Sequence, residues 1–240
     1  MEQNTVESVG PTPATLGHQV YEGLRSRILR HELRMGDPLR EDEVASWFCA
    51  SRLPAREAMR RLEHEGLVAR AGRKYVVRRY SGAEILVTYR LRAALEHLAV
   101  ELSAERMTPA DEDRIAGMLE RQKEAALAKE RGEFSLLDLA FHMSFAEISR
   151  NAALCHELGL VMNRVTLIRG HELDRDSGPL AAYDDHCRIF GAVCRRDLPT
   201  ACAELDYHYA TTLRLHHVGS GKRLSPLPSR ALRHPQDESR

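Results

Sequence analysis

Two sets of side chains in this 240-residue chain have the types and spacing to do chemistry. The first is a row of guanidiniums, Arg52, Arg56 and Arg60, at i, i+4 and i+8, which a helix places on one face, with Ala55, Met59 and Leu62 on another. One face can pack while the other meets phosphates or guanine edges in a major groove; the same pattern also fits a solvated amphipathic helix. The second set is Asp138, His142, His186 and His208. Asp138 and His142 stand at i, i+4, a carboxylate and an imidazole about 6 Å apart on one helical face, and the other two imidazoles fall on further helices that can aim at a common centre. Three His and one Asp form a borderline ligand set that suits Zn, Ni, Co, Fe or Mn. On spacing alone, a D-x3-H pair equally describes half-exposed polar residues.

These residues need elements to position them. Helical periodicity dominates: Val20, Leu24, Ile28 and Leu29 recur at helical spacing, and similar stripes run through 84–104, 109–130, 134–149, 154–169, 182–195 and 198–217. Thr108-Pro109 before Asp111, and Asp197 before Pro199, mark two helix starts. Ahead of these, helices are expected at about 15–33, 40–48 and 51–65, with a turn at Gly36-Asp37-Pro38 and Ser51 able to cap the third. Around Leu67–Tyr80, β-favouring Val68, Tyr75, Val76, Val77 and Tyr80 flank Ala71-Gly72-Arg73-Lys74, which predicts two short strands joined by a basic turn. Two short helices joined by about three residues and followed by a hairpin make a winged helix-turn-helix.

The formal net charge is zero, 35 basic against 35 acidic residues, but the charges are sorted. Residues 1–80 hold 14 Lys/Arg against 11 Asp/Glu, 81–220 hold 16 against 22, and 221–240 hold 5 against 2, giving +3, −6 and +3. Within 50–80, nine basic residues face Glu57, Glu63 and Glu65, a local +6 that points to nucleic acid in one part only. The expected organisation is therefore a disordered tail at 1–14, a winged domain at 15–80, an all-helical domain at 81–218 and a disordered basic tail at 219–240. No apolar run approaches the roughly 18 residues of a membrane span, and MEQNTVESVG lacks the regions of a signal peptide. A cytoplasmic protein without membrane contact is expected. The five cysteines form no CxxC pair and read as reduced thiols.

The stretch Leu39-Arg40-Glu41 through Glu43-Val44-Ala45, then Ser51-Arg52-Leu53-Pro54-Ala55-Arg56-Glu57-Ala58-Met59-Arg60-Arg61-Leu62-Glu63, then Glu65-Gly66-Leu67-Val68, closely resembles the DNA-binding domain of GntR-family bacterial transcription regulators. The resemblance implies that Ser51, Arg52 and Arg56, with Arg60 on the same face, contact operator DNA, and that Arg73 and Lys74 in the wing reach an adjacent groove. Cys49 stands where the family usually has a turn glycine, Leu53 where it often has threonine, and the wing lacks the glycine after Arg73. A thiol in that turn admits a redox switch as well as a tolerated substitution.

Residues 81–217 resemble the all-helical FCD effector domain of the FadR-type subfamily. Tyr89-Arg90-Leu91-Arg92 with Leu95-Glu96 matches its first helix, Asp138-Leu139-Ala140-Phe141-His142 with Asn151 its D-x2-FH…N segment, and Asp185-His186 followed by Asp197 and His208 its closing pattern. The resemblance implies a divalent transition metal, Zn or Ni, on Asp138, His142, His186 and His208. It also implies a carboxylate effector beside Arg92 and Asn151, although Arg92 can equally pair with Glu96 at i+4. The remaining histidines match no ligand pattern.

The fold class expected is mainly α, a winged helix-turn-helix followed by a helical bundle. The function expected is a ligand-responsive, homodimeric regulator, a repressor on a palindromic operator, rather than an enzyme. The alternative is a hydrolase-like metalloenzyme using the Asp/His cluster, but the chain has no HExxH, no phosphate loop and no G-x-S-x-G.

Overall fold

The computed structural model describes residues 15–170 and 178–215, the side chain of Leu215 excepted. The expected tails at 1–14 and 219–240 lie outside these residues. The chain divides into two compact units, one ending at Arg79 and the other beginning at Tyr80.

In the first unit α1 (Leu16–Leu29) is capped by Thr15, whose hydroxyl accepts from the His18 N–H at 3.3 Å. It buries Val20, Leu24 and Ile28 and packs on α3 (Arg52–Glu65), whose own inner face is Ala55, Ala58, Met59 and Leu62. α1 stops four residues short of the expected Leu33 because His31 turns left-handed at φ 61 and the Glu32 and Leu33 amides fold back onto the Arg27 carbonyl. α2 (Glu41–Trp47) precedes α3, which ends at Gly66, left-handed at φ 88, a conformation that favours glycine. Ser51 sits at the N-cap of α3, but its side chain makes no cap hydrogen bond, contrary to the expected role.

The expected hairpin is β2 (Val68–Ala71) and β3 (Lys74–Val77), antiparallel and joined through Gly72, left-handed at φ 64. A third strand was not foreseen: β1 (Pro38–Leu39) pairs with β3 through Pro38↔Val76 and Leu39↔Tyr75, giving the order β1-β3-β2. Pro38 is tolerated because it lies on the sheet's edge. Tyr75 and Val77 point inward and are buried.

The second unit is a bundle of α4 (Gly82–Ala104), α5 (Pro109–Leu127), α6 (Arg131–Ile148), α7 (Ala152–Arg169), α8 (Gly178–Cys194) and α9 (Leu198–Leu215). Full capping boxes open α4 (Ser81 with Glu84) and α5 (Thr108 with Asp111, Pro109 in the first turn). α4 packs on α6, α7 and α9, while α5 packs on α6 and α8. Their shared core includes Val100, Ile115, Phe141, Phe145, Val161, Ile189 and Leu205. Among the described residues, no helix is long and apolar enough to cross a membrane.

Candidate DNA-reading face and metal centre

On α3, Arg52, Arg56 and Arg60 are all exposed, on the side opposite the buried Ala55, Met59 and Leu62. Arg56 is held ready: its Nε and Nη2 donate to Glu41 at 2.9 and 2.7 Å, which raises its own pKa and lowers that of Glu41. Arg52 lies 3.7 Å from Asp42. The exposed Ser51 flanks this row, and exposed Arg73 and Lys74 sit at the wing tip. The far end of α3 is fixed from behind. Tyr21 of α1 donates to the buried Glu65 carboxylate at 2.9 Å, while Arg61 stacks over the Tyr21 ring at 3.6 Å and pairs with Glu65 at 3.2 Å. Cys49, in the turn between α2 and α3, is exposed and left-handed at φ 50.

In the second unit α6, α8 and α9 bring His142, His186 and His208 together, each at most 1% exposed. One ligand nitrogen from each lies within 4.8 Å of the others, and the rings are 4.8 to 5.4 Å apart. Their outer nitrogens are fixed. His186 Nδ1 donates to Gln122 Oε1 at 2.8 Å and His208 Nδ1 to Asp185 Oδ2 at 3.0 Å, so each Nε2 presents a lone pair that no described atom satisfies. His142 Nε2 accepts from Arg92 Nη2 at 2.7 Å, because a guanidinium can only donate, and its Nδ1 faces Glu96 Oε2 at 3.1 Å. Outer-nitrogen support of this kind is how proteins orient metal-ligating imidazoles. Burial depresses all three pKa values, that of His208 to about 4, which favours neutral rings at neutral pH; the Nε2 lone pairs of His186 and His208 are then available, while that of His142 is held by Arg92. The residues present thus fit a divalent cation.

Asp138, the fourth expected ligand, borders this cluster. Asp138 is buried and its Oδ1 lies 3.5 Å from His186 Nε2, but both its oxygens are engaged by Arg169 Nη1 at 2.7 and 2.6 Å. Burial alone would raise the Asp138 pKa; the Arg169 guanidinium overcomes it and keeps the group ionised. Arg92 is fully buried and holds Glu96 at 2.8 Å, the i+4 pairing, while also touching His142. Glu96 is ionised in the same way, with Arg92 and His142 outweighing burial, and it also accepts from the Tyr209 hydroxyl. Asn151 is exposed and spends its Oδ1 on the Leu154 N–H at 3.1 Å, which caps α7. That local role accounts for the residue without an effector. A small open pocket, with room for about one water, lies between α6 and α7, lined by Phe134, Ser135, Asp138, Thr166 and Arg169.

Sequence reasoning missed Gln122 and Arg169, and it named Asp185 beside His186 without giving it the role of orienting His208. Gln122 alone left a signal, a polar residue in the apolar register of Ile115, Leu119 and Ala126. Arg169, at the last position of α7, reads as an ordinary charge favoured by the helix dipole.

The comparisons agree with this architecture. The "FCD domain" family matches residues 87–211, and "Bacterial regulatory proteins, gntR family" matches residues 16–76. The HTH-type transcriptional regulator YdfH of Escherichia coli O6:H1 is 30% identical over 80% of this chain and 85% of its own length. The HTH-type transcriptional repressor RspR of Escherichia coli K12 is 28% identical over 80% and 85%. The solved structure of E. coli McbR/YncC superposes with a TM-score of 0.77 over 85% of this chain and 98% of that one, at 20% identity, which speaks for the fold alone. Both domains and both relatives are those of transcriptional regulators, so the hydrolase-like alternative falls. With a gntR-type winged domain at one end and an FCD domain over more than half of its length, this chain belongs to the GntR family of bacterial transcriptional regulators.

Proposed function

We propose that this regulator is a cytoplasmic, homodimeric repressor whose FCD domain binds a divalent transition metal, Zn or Ni, together with a small carboxylate effector. The observation that carries the reading is the convergence of three buried, neutral imidazoles, two of them with unsatisfied Nε2 atoms, on one centre next to two guanidiniums. A metal bound there supplies a Lewis-acidic site for a carboxylate oxygen. Arg92 supplies directional donors for the same ligand, and its Nη1 has no hydrogen-bond partner among the described residues. Repression follows the assignment of RspR, and a palindromic operator follows from two-fold symmetry of a dimer.

On the DNA side, Arg52, Arg56 and Arg60 read the major groove, Ser51 positions the helix on phosphate, and Arg73 and Lys74 contact the neighbouring backbone. The effector changes operator affinity only to the extent that it binds one arrangement of the dimer better than another. Two measurements test the reading together. Purified protein should hold about one metal per chain by elemental analysis, lost in His186→Ala, while Arg56→Ala should abolish operator retention in a gel shift and keep its metal. Metal-free protein at full occupancy conditions defeats the first half, and operator binding by Arg56→Ala at physiological salt defeats the second.

A further inference from the structure

The arginines on the outer face of α3 are not equivalent. Glu41 grips Arg56 side-on: its Oε1 accepts from Nε at 2.9 Å and its Oε2 from Nη2 at 2.7 Å. A guanidinium carries five N–H donors in a planar fork, so this grip leaves the end-on edge, formed by Nη1 and the second hydrogen of Nη2, for another partner. Arg52 is not held in this way, because Asp42 stands 3.7 Å from it, beyond hydrogen-bond reach. Both ends of the Glu41–Arg56 pair stand on ordered backbone. Glu41 opens α2 two residues after Leu39, which is buried and paired with Tyr75 in the sheet, and Arg56 follows the fully buried Ala55. The short strand β1 thus fixes where the carboxylate sits. The Arg56 and Glu41 side chains are 51% and 28% exposed, and an ion pair so open to water contributes little to stability. An acid on a face that meets phosphates also weakens binding to DNA of any sequence. What it can add there is discrimination between sequences.

We propose that Glu41 is a specificity-determining residue: by holding Arg56 side-on, it presents the end-on edge of the guanidinium to the O6 and N7 of one guanine in the major groove and keeps Arg56 off the phosphates. The idea rests on the reading of Arg56 as a DNA contact above. Two parallel N–H donors match the two acceptors that guanine offers side by side in that groove, whereas adenine sets a donor beside its N7 and forfeits one of the two bonds. The carboxylate acts in two ways. It restricts a long side chain in advance, so less freedom is lost on docking. It also cancels the guanidinium charge, so Arg56 gains little from phosphate alone. Arg56 then supplies sequence recognition, while cations such as the exposed Arg73 and Lys74 supply the attraction common to all DNA.

The test uses the full-length protein and two duplexes, one enriched by the parent from a random-sequence pool and one scrambled from it, with binding read by fluorescence anisotropy. Each guanine of the enriched duplex is replaced in turn by 7-deazaguanine, which lacks the N7 acceptor. In the parent, one such replacement in each half-site should weaken binding about tenfold, within the range of a good bidentate pair. Arg56→Ala, measured at low salt where it still binds, should be indifferent to it. Glu41→Gln should melt close to the parent and bind the scrambled duplex more tightly, with a salt slope steeper by about 0.9. Its penalty for the same deazaguanine should fall to about twofold. Glu41→Asp, one methylene short of the side-on grip, should lie between the two, and it decides in place of Glu41→Gln if that variant does not fold. A full penalty in both Glu41 variants would mean that Arg56 reads guanine unaided, and equal losses on the two duplexes would reduce the pair to a structural brace; either result overturns the proposal. So would a parent indifferent to deazaguanine at every position. Binding of the enriched duplex by Arg56→Ala at physiological salt sinks the reading of Arg56 itself, whereas a penalty lost in Arg56→Ala but kept in the Glu41 variants sinks only the role of Glu41.

Discussion

Cys49 holds the turn between α2 and α3 at φ 50, where a β-carbon costs roughly 1–2 kcal/mol and glycine costs nothing sterically. Part of that gain is lost to the greater freedom of an unfolded glycine, so Cys49→Gly should stabilise the first unit by about 0.5–1 kcal/mol in thermal or urea denaturation. Tyr21 makes a second prediction possible. Burial and the Glu65 carboxylate push its phenol up to about 12, from an ordinary value of 10. A raised pKa means that its contribution is intact below pH 10 and is lost as pH rises from 10 to 12, because the unfolded chain gives up the proton first. The stability difference between parent and Tyr21→Phe should accordingly be constant up to pH 10 and shrink above it. The chemistry at this scale was legible where it lay in residue type plus local spacing: Asp138 and His142 at i, i+4, or the arginine row on α3. It was illegible where a partner comes from a distant helix. Arg169 meets Asp138 31 residues away, and nothing in either neighbourhood marks that pairing.

Elements were read well wherever periodicity and caps agree, as for α5, whose Thr108, Pro109 and Asp111 announce its start. β1 escaped notice because two residues carry no period; it exists only through its ladder with β3, more than 30 residues on. Capping also separates two superficially similar residues. The Thr108 hydroxyl accepts from the Asp111 N–H at 3.3 Å and the Asp111 carboxylate returns to the Thr108 N–H at 3.1 Å. Thr108→Ala should therefore cost about 1 kcal/mol of stability, read by denaturant titration, with operator affinity unchanged. Ser51 occupies the same position on α3 without a cap bond, so Ser51→Ala should cost less than about 0.5 kcal/mol. Its effect should appear instead as weaker operator binding. A large stability loss without an affinity loss would reverse the assignment of Ser51 from DNA contact to cap.

For the whole molecule, a net charge of zero hides a division of labour, +3 over residues 1–80 against −6 over 81–220. Mobile ions screen charges beyond a Debye length of about 8 Å at physiological salt, so DNA responds to the local field of α3 and the wing rather than to the total. Each phosphate neutralised by Lys or Arg releases counterions and steepens the fall of log K with log salt by about 0.9. Arg73 and Lys74 are exposed at the wing tip, so Lys74→Ala should flatten that slope by about one, and the double change with Arg73→Ala by about two. Lys123→Ala removes the same charge from the acidic unit and should leave the slope unchanged. Fluorescence anisotropy over a salt series reads all three variants. Equal slopes for Lys74→Ala and the parent would remove the wing from the contact surface, whereas a flattened slope for Lys123→Ala would mean that DNA senses the molecule's total charge after all.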